Sequence, residues 1–268
     1  MSIGLSIKGD AGNLILDENS VCYEFVGEYL PIAQRLDPNL SAASLRTMNV
    51  WEHTHYADVF VSGGDYPLVF MSVPTLSAPS GVSGGGAAVL GVKYLGGFMY
   101  RVYLVVSEGY ACPAIRVFKK AYQNNADSYG LTIKNAGGET VFRSSAKMLW
   151  TTHVGSIVMP AAYSPIDIWD EAEPASWAKR SVNWGVVNSY SSICCNTRPM
   201  CYRGTAGGGE YDVFYHFLFG QWSGELIGRW VRTYRRQGII PTLGTGKLVV
   251  CDPSTITRQF ALIDNNSF

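Results

Sequence analysis

Gly4-Leu5-Ser6-Ile7-Lys8-Gly9-Asp10-Ala11-Gly12-Asn13-Leu14-Ile15-Leu16 decides the fold class, because the chain writes it twice. The second copy is Gly130-Leu131-Thr132-Ile133-Lys134-Asn135-Ala136-Gly137-Gly138-Glu139-Thr140-Val141-Phe142, and the two align without a gap. Gly-Leu, Ile-Lys and the second turn glycine are identical; Ser/Thr, Ile/Val and Leu/Phe are conservative pairs. Leu5 and Ile7 alternate with Ser6 and Lys8, the two-residue period of a half-buried strand. Gly9-Asp10-Ala11-Gly12 reads as a turn, where glycine supplies positive φ. Leu14-Ile15-Leu16 restarts the strand, so each copy is a β-hairpin.

Working outward, a weaker echo supports duplication of more than the hairpin. Ser83-Gly84-Gly85-Gly86 precedes the aromatic strand Phe98 to Val106, and Ala206-Gly207-Gly208-Gly209 precedes Tyr211 to Phe219. A repeated unit is read before any local element, because it sets the architecture. The polar stretch Gln123-Asn124-Asn125-Ala126-Asp127 has linker composition, which places a boundary there. The expected organisation is an N-terminal β domain, 1–126, and an aromatic-rich C-terminal β domain, 127–268.

Further strands are expected over Asp58 to Ser62, Tyr66 to Val73, Val89 to Tyr94, Ala114 to Phe118, Lys147 to Thr152, Val182 to Val187, Arg229 to Tyr234 and Lys247 to Cys251. These runs are rich in Val, Tyr, Phe and Trp and are bounded by Gly, Pro and Ser. Helix signals are few: Asp37 to Leu45, and Ser164 to Ala178, which Pro165 and Pro174 limit. The fold class is therefore all-β, as two related β-sandwich-like domains from an internal duplication.

Composition narrows the function. The 268 residues carry 21 Lys+Arg against 21 Asp+Glu, a net charge of zero, which gives no electrostatic footprint for a phosphate backbone. With 47% hydrophobic and only 16% charged residues, the chain is neither disordered nor a solvated coiled coil. Met1 to Asp10 has no basic n-region or apolar h-region, so no secretory signal is expected. No apolar run reaches the roughly 20 residues of a membrane helix. The six cysteines, Cys22, Cys112, Cys194, Cys195, Cys201 and Cys251, include no CxxC pair and read as buried thiols of a reducing compartment.

Catalytic motifs fail on context. Gly81-Val82-Ser83-Gly84-Gly85 matches G-x-S-x-G but lacks the strand before and the helix after that a nucleophile elbow requires. Gly244-Thr245-Gly246-Lys247 lacks the first glycine of a phosphate loop, Pro241 standing there, and its Ser/Thr, Leu248 standing there. His53-Thr54-His55 places two imidazoles on one face of an extended segment, a metal site only if several copies meet on an axis. Asp167, Asp170, Glu171 and Glu173 around Trp169 form either a glycosidase-like acid pair or a solvated loop, and the loop is the better account. No catalytic residue and no cofactor are expected.

The aromatic excess is more informative. Trp150, Trp169, Trp177, Trp184, Trp222 and Trp230 all lie in the second half, with Tyr190, Tyr202, Tyr211, Tyr215 and Tyr234. Core packing accounts for most of them. The interface or receptor candidates are Trp169, Trp177, Trp184, Tyr190, Tyr202, Trp222 and Trp230, since Tyr and Trp supply contact area where surfaces meet.

The unit Tyr129 to Ser145 resembles a hairpin recurring in tail proteins of tailed bacteriophages: a tyrosine, Gly-Leu, alternating apolar residues, Asn-x-x-Gly, then Val-Phe and serine. Pro67-Leu68-Val69-Phe70, followed by a Gly-rich stretch and a tyrosine-rich strand, is similar to the region preceding it in those proteins. The first copy departs, with Leu14-Ile15-Leu16-Asp17 in place of Val-Phe-x-Ser. The resemblance implies a non-enzymatic structural component of a long-tailed phage, a tail-tip, baseplate or minor tail protein that mediates assembly and fibre attachment. It implies assembly in the host cytoplasm, residence in the virion, other tail proteins as partners, and a homo-oligomer, a trimer favoured. His53-x-His55 resembles the HxH motif of trimeric phage spikes, although the neighbouring sequence is unlike a spike needle. A receptor-binding module for a host glycan or pilus is the alternative, and a carbohydrate-active enzyme a weaker one. Neither nucleic acid nor membrane insertion is expected.

Overall fold

The computed structural model describes residues 5–9, 12–16, 22–33, 54–63, 66–76, 86–107, 110–120, 131–134, 137–138, 140–143, 145–159, 180–182, 190–195, 202–203, 211–237, 249–250 and 256–267. The fold is all-β. The quoted segments are hairpins: β1 (Leu5–Gly9) with β2 (Gly12–Leu16), and β10 (Thr132–Lys134) with β11 (Thr140–Arg143). The first closes with Gly9 opposite Gly12, at the glycines read as its turn. Each hairpin is a two-stranded sheet of its own.

The remaining strands in the first half are β3 (Tyr23–Tyr29), β4 (Ile32–Ala33), β5 (His55–Phe60), β6 (Leu68–Ser72), β7 (Ala87–Gly96), β8 (Met99–Val106) and β9 (Ile115–Lys120). In the second half they are β12 (His153–Met159), β13 (Arg180–Val182), β14 (Ser191–Cys195), β15 (Tyr202–Arg203), β16 (Tyr211–Trp222), β17 (Glu225–Gln237), β18 (Val249–Val250) and β19 (Ile256–Asp264). A six-stranded sheet runs β12-β19-β14-β6-β9-β3, and a seven-stranded sheet runs β13-β17-β16-β7-β8-β5-β4; β15 and β18 pair separately. The expected helices, Asp37 to Leu45 and Ser164 to Ala178, lie outside the described residues. Among those described, the only helical element is a 3-10 turn at Asn265–Ser267.

Each half supplies three neighbouring strands to the six-stranded sheet, the first half supplies four and the second three to the seven-stranded sheet, and both sheets run unbroken across the seam, through β6–β14 and β7–β16. The halves are therefore fused side by side and are not two separate sandwiches. The boundary stretch itself, Gln123 to Asp127, lies outside the described residues. The sheet orders match outward from the seam: β6 with β14, β9 with β19, β3 with β12, and in the other sheet β7 with β16, β8 with β17, β5 with β13. Antiparallel pairing at both seams is what a two-fold axis normal to the sheets produces.

The registers test this residue by residue. The spacing that separates Leu5 from Leu131 also carries Gly27 to His153 and Met99 to Glu225. Gly27 pairs with Val117 and His153 with Leu262; Val117 in turn pairs with Val69 and Leu262 with Ile193. Val69, Val117, Ile193 and Leu262 all face the core between the sheets. One residue on, Phe70 and Phe118 correspond to Cys194 and Ile263, and all four face a second cluster. The β7–β8 and β16–β17 hairpins turn at equivalent places, Gly97-Phe98 and Ser223-Gly224, with φ of 58°, 64°, 49° and 81°. Two successive positive φ values mark the type I′ turn that suits the twist of a two-residue hairpin. The Gly-rich echo is thus offset from the expectation: the strand directly following Gly86 is β7, and β7, not β8, is the counterpart of β16.

The main core is built from both sheets and both halves, including Val59, Val102, Leu104, Val117, Ile157, Ile193, Phe217, Leu226 and Leu262. The second cluster lies on the other face of the six-stranded sheet: Phe70, Phe118 and Ile263, with Phe25, Leu68 and Leu149 packed on them. A strand buried on both faces carries a continuous apolar run instead of alternation. That is why β6 reads Leu-Val-Phe-Met.

The six-stranded sheet must roll to enclose this cluster. Leu149 N–H donates to Tyr23 O of β3 at 2.7 Å, while Thr152 N–H donates to Leu262 O of β19 at 2.8 Å. In a flat sheet, β3 and β19 would lie four strand spacings apart, about 19 Å. Three residues reach at most about 11 Å. The ends of the sheet therefore curl together, and residues 147–152 bridge them. Lys147 to Thr152, expected as a strand, makes only an isolated bridge, Glu24 with Met148, and the strand begins at His153.

A polar network spans the seam. Arg116 of β9 donates to Ser72 Oγ at 2.9 Å and, across the seam, to Ser192 Oγ at 3.2 Å, and its other nitrogen pairs with Glu28 of β3. Ser192 Oγ donates to Asn265 Oδ1 at 2.6 Å. An arginine only 9% exposed persists because its Nη donors are matched by these acceptors.

Candidate functional site

The largest described set of exposed aromatic side chains lies at the β7–β8 turn, in the first half. Side chains alternate along β5, so Ala57 and Val59 enter the core and Tyr56, Asp58 and Phe60 face outward. β8 does the same, burying Tyr100, Val102 and Leu104 and turning Arg101 and Tyr103 out. Arg101 forks onto Asp58, Nε to Oδ1 at 2.6 Å and Nη2 to Oδ2 at 2.7 Å, and its guanidinium carbon stands 4.3 Å from the centre of the Tyr56 ring. The hydrogen bonds from Arg101 hold the Asp58 carboxyl below its usual range, and those to Asp58 hold the Arg101 guanidinium above its own.

Beyond this pair the end of the hairpin is apolar on both faces, with Phe60 on the outward face and Tyr94 on the face of Tyr100. Phe60, Tyr66, Tyr94, Leu95 and Phe98 are between 44% and 65% exposed. Phe98 stands edge-on to Phe60 at 6.1 Å, while Tyr66 and Tyr94 flank the buried Tyr100 at 5.6 and 5.0 Å. Val61 N–H donates to Phe98 O at 2.8 Å, which ties the turn to the end of β5.

His55, at the start of β5, is described, whereas His53 lies outside the described residues. Val106 N–H donates to Thr54 Oγ1 at 2.9 Å, and that hydroxyl lies 2.9 Å from His55 Nδ1. The arrangement suits a neutral ring accepting the hydroxyl proton. Burial lowers the pKa of His55 from 6.5. The unfolded chain therefore takes up the proton first: this contribution to stability is complete above the unfolded value and is lost as pH falls from there toward the folded value. The thermal midpoint of the wild type is expected to drop more than that of His55→Gln between about pH 7.5 and about pH 5. Equal drops would exclude the effect. Of the other histidines, His153 is half-buried against the Phe260 ring at 6.1 Å, and His216 lies on β16. Among the described residues no group of three or more His, Cys, Asp or Glu side chains is placed to hold a metal ion.

The aromatic candidates of the second half are not gathered into one described site. Trp169, Trp177 and Trp184 lie outside the described residues, as do Asp167, Asp170, Glu171 and Glu173, the Gly81 to Gly85 loop, and Gly244 to Lys247. Tyr202 is on β15 and Trp230 on β17. Tyr190 is 54% exposed beside β14, and Trp222 is half-buried at the end of β16. A strap after β6 joins the neighbourhoods of these two: Val73 N–H donates to Ser191 O, and Leu76 N–H to Gln221 O, both at 2.9 Å. Leu76 packs where a Cβ on Gly220 would sit. By the two-fold relation Tyr190 corresponds to Tyr66, and both are exposed.

None of the four described cysteines is in a disulfide. Burial pushes Cys112 up to about 12 and Cys194 up to about 11, so both stay protonated thiols. Vicinal Cys194 and Cys195 face opposite sides of β14, toward the second cluster and the main core respectively, and do not converge.

The class defined by this geometry is an all-β chain of two intergrown sheets with internal two-fold symmetry. No family model, curated protein or solved structure matches it.

Proposed function

We infer that the chain is a non-enzymatic structural component of a bacteriophage tail tip or baseplate, working as an assembly element. The observation that carries this reading is the repeated Gly-Leu-x-Ile-Lys hairpin, which resembles one in phage tail proteins and stands outside both main sheets in each half. A lone two-stranded hairpin is marginal in water. Two of them on one chain suit contact with neighbouring subunits, and Leu131, beside the second, is 50% exposed. The full-length chain, purified with tail proteins encoded beside its gene, is expected to form a stable higher-order complex that is lost when Leu5, Ile7, Leu131 and Ile133 are replaced by Ser. A well-behaved monomer that binds none of those proteins would overturn the reading.

A further inference from the structure

We propose that the β7–β8 turn is a lipid-contacting tip that rests on the headgroup region of a bilayer carrying anionic lipid. The internal two-fold supplies a control. The equivalent turn in the second half is Ser223-Gly224, with glycine in the second position, where positive φ is natural. The first half has Phe98 there at φ 64°, a conformation a bulky residue rarely holds. The turn keeps an aromatic ring against its backbone preference, and the ring is 45% exposed.

The neighbouring chemistry fits lipid. Phe60, Leu95 and Phe98 offer purely apolar surface, while Tyr66 and Tyr94 offer rings tipped with hydroxyls, the type favoured at a membrane interface. The turn is open: a Cβ placed on Gly96 or Gly97 would meet nothing within 4 Å. An open turn at the end of a hairpin encloses little of a peptide, whereas a bilayer deforms around it. Charge is complementary as well. Exposed Lys93 has no ion-pair partner among the described residues, and the nearby Asp58 is neutralised by Arg101. A cation unpaired among the described residues, beside an apolar tip, favours anionic headgroups.

Such a tip lies on a membrane and does not span it, so it needs no long apolar run. It departs from the expectation of no membrane insertion, which rested on the missing run. The inference does not depend on the assembly role and can fail separately from it.

The test is co-sedimentation of the full chain with vesicles of phosphatidylcholine alone and of phosphatidylcholine with phosphatidylglycerol. Binding is expected to both, tighter with phosphatidylglycerol. Phe98→Gly should weaken it by roughly tenfold or more, the loss of one buried aromatic side chain. The same variant should melt at a higher temperature, because glycine relieves the turn, so weaker binding cannot be blamed on misfolding. Lys93→Gln should remove the preference for phosphatidylglycerol. The proposal is overturned if the wild type stays in solution with both vesicles, or if Phe98→Gly binds like the wild type. It is also overturned if Phe98→Gly leaves vesicle binding intact and dissociates an oligomer, which would assign the tip to protein contact.

Discussion

Cut between residues 126 and 127, the chain is expected to give two halves, neither of which is stable as a monomer. Each would lose the partner of β6 or β14 and of β7 or β16, leaving two open strand edges. Each would also lose its share of a core in which Val59, Val102 and Val117 from one half pack with Ile193, Phe217 and Leu226 from the other. The pseudo-two-fold gives a separated half one remedy, pairing with a second copy through the same edges. Fragment 127–268 should therefore elute at the mass of a dimer. Mixed with fragment 1–126, it should exchange into a heterodimer with the circular-dichroism spectrum of the whole chain. A folded monomeric half would refute the shared core.

Phe118→Ala should cost about 3–5 kcal/mol, among the largest effects of any single side-chain truncation. Phe118 is fully buried, with the rings of Phe25 and Phe70 each 5.5 Å from its own. It occupies the middle of the second cluster, where strands hydrogen-bonded on both edges cannot readily collapse onto a cavity. Phe60→Ala removes the same group from a site 54% exposed and should stay within about 0.5 kcal/mol of wild type. Urea unfolding of the two variants separates the cases: a shared midpoint would mean that the six-stranded sheet does not close over Phe118.

Both hairpins were legible because alternation and turn glycines are local signals. β8, β9 and β16 were legible through their branched and aromatic density. β3, β14 and β19 were not. β3 carries Glu24 and Glu28, whose partners Lys119 and Arg116 lie far along the chain. β14 reads Ser-Ser-Ile-Cys-Cys, and β19 includes Thr257, Arg258 and Gln259, so neither has the composition of a strand. The intergrowth of the halves was illegible for a related reason: the seam pairs residues such as Ser72 and Ser192, which no local pattern connects. The aromatic surface was sought by counting tryptophans, which points to the second half. The described exposed cluster is made of Phe, Tyr and Leu in the first half. Its sharpest feature, a phenylalanine at positive φ, has no sequence signature, since Gly-Phe is not a recognised turn pair.

Where the axis crosses the six-stranded sheet, the register sets Ser72 against Ser192 and Met71 against Ile193, and extended by one residue it would set Phe70 against Cys194. In an assembly of identical chains, a residue beside such an axis meets its own copy. Two phenylalanines would crowd that spot, and two cysteines would leave it underfilled. Covalent linkage of the halves removes the constraint: a large side chain sits against a small one, and both belong to one cluster. Fusion thus permits an asymmetric fit at a symmetric place, which no dimer of identical halves can copy.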